Sequence, residues 1–226
     1  MVDELSRELE ALVTLGNESP SLEYKSSMSW RDSLTQAIVV KEALALANTR
    51  DGGTIVFGVT DGTFVPEGMA QSDFDSFEND KIADRVNLYA EPRIQTTVRK
   101  GRIGDKLFVL IGVEPRRDSP VICEKDGGPP AAQIYAGDIY IRPVGKPEAR
   151  RVQNAQEMRE LVERARDFEV EKLRQGHPSA FLPDVETVVE QAIQTAMERL
   201  GQETGMPLQP VSDTAALDAE IGPFND

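Results

Sequence analysis

Cysteine and histidine are almost absent from this sequence, which has one residue of each type among 226. One cysteine cannot form a disulfide framework within the chain, and one cysteine with one histidine cannot supply a zinc cluster. Any metal ion would therefore have carboxylate ligands. No apolar run approaches the roughly 20 residues that cross a bilayer, and residues 1–13 are acidic and amphipathic, unlike a secretory signal peptide. We therefore expect a cytoplasmic protein without a membrane anchor.

Basic residues are outnumbered, since 25 lysines and arginines face 39 acids and the formal net charge is -14. Such a balance opposes nucleic-acid binding, which depends on positive charge. The charge is unevenly distributed, however. Residues 91–151 carry 12 basic and 8 acidic side chains, whereas residues 178–226 carry 9 acids and Arg199 alone. The net charge of the whole chain therefore does not decide what its partner is.

Hydrophobic periodicity predicts a chain in which helices and strands are interspersed. The predicted helices cover residues 2–15, 32–49, 72–89, 153–175 and 184–200. The predicted strands cover residues 21–27, 54–59, 94–103, 106–113, 121–122 and 134–142. We expect three parts: a core at 1–152, a C-terminal helical extension at 153–203, and a flexible acidic tail at 204–226, which has little periodicity.

Three acids, Glu18, Glu23 and Asp61, can converge at the ends of the first two predicted strands. Residues five apart in one strand face opposite ways, but Pro20 keeps Glu18 out of the strand and allows a turn to return it beside Glu23. Three carboxylates on rigid backbone suit Mg²⁺ or Mn²⁺, which activates water and neutralises charge at a phosphodiester. Lys25 shares a face with Glu23 and can stabilise the developing anion. Acids beside turns are, however, more often solvated surface.

These acids belong to a pattern that resembles the Schlafen-type AlbA domain family over roughly residues 18–150. The resemblance is carried by Glu18-x4-Glu23-Tyr-Lys25, a helix ending in Ala-Leu-Ala-Asn48-Thr49, then Gly52-Gly53, and then Ile-Val-Phe-Gly-Val-Thr-Asp61. A weaker match extends to Tyr140-Ile141-Arg142-Pro143-Val144-Gly145, which is similar to the family's closing Tyr-x-Arg-x-Gly strand. The distinctive part is Asn-Thr, Gly-Gly and Gly-Val-x-Asp in that order.

The resemblance implies an α+β fold, with a mixed central sheet flanked by helices, and a specific activity. In the family's nuclease members, a Glu-x4-Glu pair and an aspartate after the second strand form a divalent-metal site, and these proteins cut structured RNA, notably tRNA. The corresponding acids are Glu18, Glu23 and Asp61, so the resemblance implies a metal-dependent endoribonuclease. The alternatives are a non-catalytic nucleic-acid-binding or regulatory domain and a protein-interaction adaptor. Because no Gly-x4-Gly-Lys-Ser/Thr motif is present, we predict no ATP hydrolysis.

The chain departs from the family pattern in three ways. It lacks the Cys/His zinc site of the animal proteins, and 226 residues leave no room for their second, related lobe. Arg50-Asp51 also lengthens the Asn-Thr-x-Gly-Gly turn, and Pro143 interrupts the closing strand. Because nuclease relatives embrace RNA with two lobes, we expect this one-lobe chain to form a homodimer.

The predicted nucleic-acid contacts lie in the basic middle of the chain. They are Arg93, Arg99, Lys100, Arg102, Lys106, Arg142 and Lys146. The planar guanidinium of arginine suits phosphate, and a hairpin carrying several can follow a nucleic-acid backbone. A charged hairpin is equally typical of a solvated sheet edge. The C-terminal helices and the acidic tail are predicted to pair between copies or to bind a separate protein.

Overall fold

The computed structural model describes residues 4–143, 145 and 148–176. The chain divides into two compact units, Met1–Glu171 and Lys172–Asp226, and only residues 172–176 of the second unit are described. The predicted helix at 184–200 and the acidic tail lie outside the described residues. The predicted boundaries between the three parts stay predictions.

Helices and strands alternate up to residue 57, and from residue 90 onwards the described part of the chain has six strands, one 3-10 turn and a final helix. In chain order they are α1 (Glu4–Thr14), β1 (Leu22–Lys25), α2 (Ser33–Ala47), β2 (Gly53–Phe57), α3 (Gln71–Ser76), α4 (Asn79–Asn87), β3 (Ala90–Glu91), β4 (Thr96–Ile103), β5 (Lys106–Val113), β6 (Ile122–Cys123), a 3-10 turn (Pro130–Ala132), β7 (Tyr140–Ile141), β8 (Arg150–Arg151) and α5 (Ala155–Gly176). No helix in the described part of the chain is both long and apolar enough to span a membrane.

Four strands form the central sheet in the order β1-β2-β5-β4. β1 runs parallel to β2, with Glu23 opposite Ile55, whereas β5 is antiparallel to both of its neighbours. The small pairs β3-β6 and β7-β8 lie outside this sheet. The sheet is therefore mixed, and the predicted α+β class is confirmed. Three strand spacings, or about 14 Å, separate the β1 edge from the β4 edge.

Both faces of the central sheet are covered by helices. Because side chains alternate along a strand, Leu22 and Tyr24 of β1 point to one face, where they pack with Leu9 and Val13 of α1. The other face packs against α2 and α4. α2 is buried along most of its length, which explains why its apolar residues occupy nearly all of its sides. The alternation also directs Glu23 and Lys25 towards the α2 face.

The predicted helix at 72–89 is in fact two helices, α3 and α4. Phe77 lies between them in an extended conformation with φ -80° and ψ 116°. Its side chain is almost fully buried in the core. The helical periodicity of the sequence continues from α3 into α4. The periodicity therefore did not reveal that the helix is interrupted at the buried Phe77.

The predicted strand at 134–142 is much shorter, since only Tyr140–Ile141 is paired as a strand. Ile134 forms an isolated bridge with Gly127. Gly137, with φ of +81°, turns the chain between Ile134 and β7. Glycine adopts this left-handed backbone conformation easily, and the conformation interrupts a continuous strand.

The uncharged residues of the family-like motif stabilise the fold. The Asn48 side chain is buried, where its Nδ2 donates hydrogen bonds to the carbonyl oxygens of Val121 and Tyr140, both at 2.9 Å. Its Oδ1 accepts a hydrogen bond of 2.7 Å from the Val121 amide. At Gly53, a Cβ atom would collide with the Ser21 carbonyl. The most distinctive part of the motif therefore joins α2, the sheet and β7.

Candidate functional site

Glu23 lies in the middle of β1 and is only 4% exposed. It faces α2 because its neighbours Leu22 and Tyr24 occupy the opposite, α1 side of the sheet. A buried carboxylate requires charged or hydrogen-bonding partners, because its desolvation would otherwise cost several kcal/mol. Two cations, Arg142 and Lys25, supply them.

Arg142 follows β7, and its side chain is fully buried. Its Nη2 lies 2.8 Å from Oε2 of Glu23, and its Nη1 lies 2.5 Å from Oε2 of Glu42. Nη2 also donates to the carbonyl oxygens of Ser19 and Leu22, at 3.1 and 3.2 Å. The guanidinium thus fixes Glu23 against both α2 and the turn before β1. The predicted role of Arg142 as a nucleic-acid contact finds no support in this position, because the group does not reach the surface.

Glu42 of α2 is a member of this cluster that the sequence analysis missed. It is 4% exposed, and burial, followed by the charge of Glu23, raises the pKa of Glu42 to about 7 despite the opposing charge of Arg142. A signal for it exists in the sequence, because Glu42 is the single acid of α2 and has an apolar run on each side, 37–40 and 43–47. A fully buried charged residue is nearly always paired.

Lys25 lies between two of the predicted site acids. Its ammonium group pairs with Oε1 of Glu23 and lies 3.7 Å from Oδ2 of Asp61. Burial disfavours the charged form of Lys25, but the charge of Glu23 and its hydrogen bond outweigh this effect, so the pKa of Lys25 is raised. The Asp61 side chain, which follows β2, is 64% exposed. Lys25 is therefore a cation throughout the physiological pH range.

Glu18 lies immediately before the turn at residues 19–22 that leads into β1. Ser19 and Leu22 exchange two backbone hydrogen bonds of 3.2 and 3.1 Å, and this tight turn returns the Glu18 side chain to β1. Its Oε1 accepts a hydrogen bond of 3.2 Å from the Tyr24 amide. Burial first, and then the charge of Glu23, raises the pKa of Glu18.

The four predicted catalytic residues line one cavity of about 320 Å³, which we call the acid cavity. Its other lining residues are Ile38, Lys41, Glu42, Ala131, Ala132 and Glu148. The fold thus brings four side chains from the segment before β1, from β1 and from the segment after β2 to one cavity: Glu18, Glu23, Lys25 and Asp61. Their catalytic roles stay predictions.

The arrangement of the acid cavity does not fit a divalent metal ion as it stands. Carboxylate oxygens are suitable ligands for Mg²⁺ or Mn²⁺. Among the described residues, however, no three histidine, cysteine or acidic side chains are placed so that they could hold an ion together. Lys25 lies between Glu23 and Asp61, and Arg142 takes the second oxygen of Glu23. Cationic side chains thus stand where an ion would have to bind.

The basic hairpin of β4 and β5 lies at the opposite edge of the sheet from Glu23. Because side chains alternate along β4, Arg99 and Lys100 point to opposite faces. Arg99 pairs with Glu8 of α1, whereas Lys100 Nζ lies 4.8 Å from the centre of the Phe74 ring. The basic residues of this hairpin therefore do not form one continuous surface.

The remaining predicted nucleic-acid contacts lie in different surroundings. Arg93 and Arg102 are exposed. Lys106 is also exposed, and its Nζ donates a hydrogen bond of 2.5 Å to the Pro66 carbonyl. Lys146 lies outside the described residues. Their role in binding nucleic acid stays a prediction.

The central sheet and the acids at its β1 edge lie within the part of the chain that matches a known family. Residues 18–149 match the family described as Schlafen, AlbA_2, and this chain belongs to that family. The resemblance found in the sequence is thus confirmed, and membership indicates a nucleic-acid-related function. A search of curated proteins finds no match to the chain.

Two solved structures are similar to parts of this chain. One is the DIP2311 protein from Corynebacterium diphtheriae, with 13% identity and a TM-score of 0.48, matched over 71% of this chain and 28% of that protein. The other is the N-terminal domain of a Nitrosomonas europaea protein described as related to the ATP-dependent DNA helicase RecG. It has 19% identity and a TM-score of 0.36, and the match covers 65% of this chain and 92% of that domain.

Proposed function

We propose that this chain is an endoribonuclease that acts on structured RNA such as tRNA, with the acid cavity as its reaction site. The observation that carries the proposal is the convergence of Glu18, Glu23, Lys25 and Asp61 on one cavity. The family resemblance also implies that Glu18, Glu23 and Asp61 occupy the positions where the family's nuclease members have their site acids. A protein with this activity would be expected in the cytoplasm, and that location is part of the same proposal.

The chain's own side chains supply three elements of phosphodiester cleavage. The permanently charged Lys25 stabilises negative charge that develops on the phosphate, in a partly dry site where such an interaction is strong. Glu23, held by Arg142, fixes the position of Lys25. Glu18, whose pKa is raised above that of an ordinary glutamate, accepts a proton from the attacking hydroxyl or water. As the new P–O bond forms, the P–O bond to the leaving oxygen breaks, and that oxygen takes a proton from water.

Dependence on Mg²⁺ or Mn²⁺ is part of the proposal as the family resemblance implies it, with Glu18, Glu23 and Asp61 as the proposed ligands. The present positions of Lys25 and Arg142 oppose it. Titration of the full chain with Mn²⁺ by calorimetry, together with thermal denaturation, shows whether the acid cavity binds the ion. Binding that is weakened in Asp61→Asn supports the metal site. If Mn²⁺ produces no heat of binding and no shift in the unfolding temperature, the ion is removed from the proposal.

The test of the activity is incubation of the full chain with tRNA, in Mn²⁺ and in chelator. Lys25→Met should reduce the cleavage rate by about 100-fold, a loss typical of removing one electrostatic contact to a reacting phosphate. Asp61→Asn should reduce the rate in Mn²⁺ if Asp61 is a ligand of the ion. Asp61 is exposed, so its substitution should leave the fold intact. Asp105→Asn, at an exposed position in the β4–β5 turn, is the matched control.

Cleavage that is unchanged in Asp61→Asn and in Lys25→Met would contradict the acid cavity as the reaction site. Cleavage that continues in chelator but is lost in Lys25→Met would retain the site and exclude the ion.

A non-catalytic nucleic-acid-binding domain is the second candidate. The observation in its favour is that both carboxylate oxygens of Glu23 are already paired, one with Lys25 and one with Arg142. In the same assay, this candidate predicts RNA binding without cleavage. Neither binding nor cleavage would favour the third hypothesis, a protein-interaction adaptor.

The homodimer and a protein partner for the C-terminal region stay predictions. Sedimentation at micromolar concentration tests the homodimer, since a strict monomer there would exclude it.

A further inference from the structure

A second cavity lies at the opposite end of the strands from the acid cavity. The acid cavity includes Asp61, beyond the end of β2, whereas this one borders residues 48–51, just before β2 begins. Its volume is about 550 Å³, and its other walls are residues 116–120 and one side of α5. This size is in the range of pockets that hold small molecules. We call it the arginine cavity.

The walls of the arginine cavity are tied together by backbone hydrogen bonds. The Arg116 amide donates a bond of 2.8 Å to the Ala47 carbonyl, which joins the segment after β5 to the end of α2. The Asn48 side chain holds Val121 at the far end of the same segment. Gly52, with φ of +71°, lies so close to Pro115 that a side chain would collide there. The two walls formed by residues 48–51 and 116–120 are therefore fixed by the fold.

Four guanidinium groups line this cavity, those of Arg50, Arg116, Arg117 and Arg164. Arg116 is neutralised by Asp118, with Nε 2.5 Å from Oδ1 and Nη2 2.7 Å from Oδ2. In the part of the chain that the structure describes, Arg50 and Arg117 form no ion pair. Arg164 donates to a carbonyl oxygen, that of Glu160 at 3.3 Å, and desolvation lowers its pKa. Three cations thus remain available to an anion.

The other lining residues limit what that anion can be. Asp51, Asp167 and Glu171 also line the cavity, and all three are exposed. Their charge would repel a long polyanion, so a ligand with a single phosphate suits this lining better. Leu161, Ala165 and Phe168 of α5 form an apolar wall. An aromatic ring in such a wall offers a stacking surface for a base.

We propose that the arginine cavity binds a nucleotide-sized ligand with one phosphate group, with Arg117 and Arg164 at the phosphate and Phe168 at the base. A free mononucleotide and the 5′-phosphorylated end of a nucleic-acid strand offer this same chemistry. The proposal does not depend on cleavage at the acid cavity.

The test measures binding to the full chain by calorimetry, with AMP, adenosine, and a tetranucleotide carrying either a 5′-phosphate or a 5′-hydroxyl. We expect the phosphate to strengthen binding by tenfold or more in at least one of these pairs, because charge-assisted contacts to guanidinium groups are lost without it. A phosphate effect with AMP identifies a free nucleotide as the ligand, and an effect only in the tetranucleotide identifies a strand end.

Arg117→Ala and Arg164→Ala should each weaken the phosphate-dependent binding about tenfold. Arg166→Ala is the matched control, since Arg166 is an exposed arginine of the same helix that does not line the cavity. Equal binding with and without phosphate, or no binding of any probe, would overturn the proposal. An equal loss in Arg166→Ala would also overturn it, because the effect would then be one of net charge.

Discussion

The two edges of the central sheet hold their charged residues in opposite ways. At the β1 edge, Glu23 is buried and paired with Arg142 and Lys25. At the β4 edge, Arg99 and Lys100 are only partly covered and point to different faces of the sheet. Buried ion pairs fix side-chain positions but require every partner to be present, since an unpaired buried charge is costly. Exposed pairs contribute little and tolerate change. The β1 edge is therefore suited to chemistry that needs fixed geometry.

The largest expected effect that separates the two edges is that of Arg142→Met. This variant would leave Glu23 and Glu42 buried without their guanidinium, and breaking a buried pair in this way typically costs about 3–5 kcal/mol. The free energy of unfolding, measured with urea, should fall by that amount. Arg102→Met at the β4 edge is the matched control and should change it by less than about 0.5 kcal/mol. A loss below about 1 kcal/mol in Arg142→Met would mean that the buried network is not needed for the fold.

A second prediction concerns pH. The pKa of Glu42 is raised from 4.5 to about 7 in the folded protein, so folding takes up a proton between these values. The free energy of unfolding should therefore contain a part that decreases as pH rises from about 4.5 to 7 and is constant above that window. Glu42→Gln lacks this pH-dependent contribution. The free energy of unfolding of the variant, relative to that of the original protein, should therefore increase from about pH 4.5 to 7, by at most roughly 1 kcal/mol per pH unit.

Urea titrations at several pH values measure this difference, with the exposed Glu124→Gln as control. Parallel pH profiles for the original protein and Glu42→Gln would show that Glu42 titrates normally.

A smaller effect is expected for RNA binding at the β4 edge. Arg102 is exposed, and if it contacts phosphate, Arg102→Ala should weaken RNA binding a few-fold and reduce the salt dependence by about one counterion. Filter binding over a range of salt concentrations measures both quantities. Arg159→Ala, an exposed arginine of α5, serves for comparison. Identical salt slopes in both variants and the original protein would exclude Arg102 from the RNA interface.

The smallest effect should come from the pair of Arg99 and Glu8. Both side chains are about one third or more exposed, at 32% and 43%, so solvent screens the pair. Arg99→Met should change the free energy of unfolding by less than about 1 kcal/mol. A larger loss in urea denaturation would show that α1 depends on this contact, and the contrast between the two edges would be weaker.

Local patterns in the sequence predicted most of the central elements correctly. The predicted bounds of β2 and α2 are within a few residues of the observed ones, because both elements are buried and consist mainly of apolar residues that are adjacent in the sequence. Pro20 correctly indicated that Glu18 lies in a turn outside β1. Patterns of this kind depend on neighbours in the chain and need no knowledge of the tertiary structure.

The position of Arg142 could not be predicted in this way. Arginine is mostly exposed unless it is paired, and its partners Glu23 and Glu42 lie at least 100 residues away in the chain. Glu42 was overlooked for the same reason, although an acid within an apolar helix is a usable signal. The basic hairpin was treated as one surface, whereas the alternation of side chains in β4 divides it between two faces.

The contacts of Arg142 with Ser19, Leu22, Glu23 and Glu42 have a consequence for biosynthesis. During translation the early segment, with Glu18, Glu23 and Asp61, emerges long before the arginine that anchors it. A ribosome-bound intermediate shorter than 142 residues contains those acids but cannot complete the cluster. If the finished protein cleaves RNA, its own messenger and ribosome are thus not exposed to an assembled centre until synthesis of this region is nearly over.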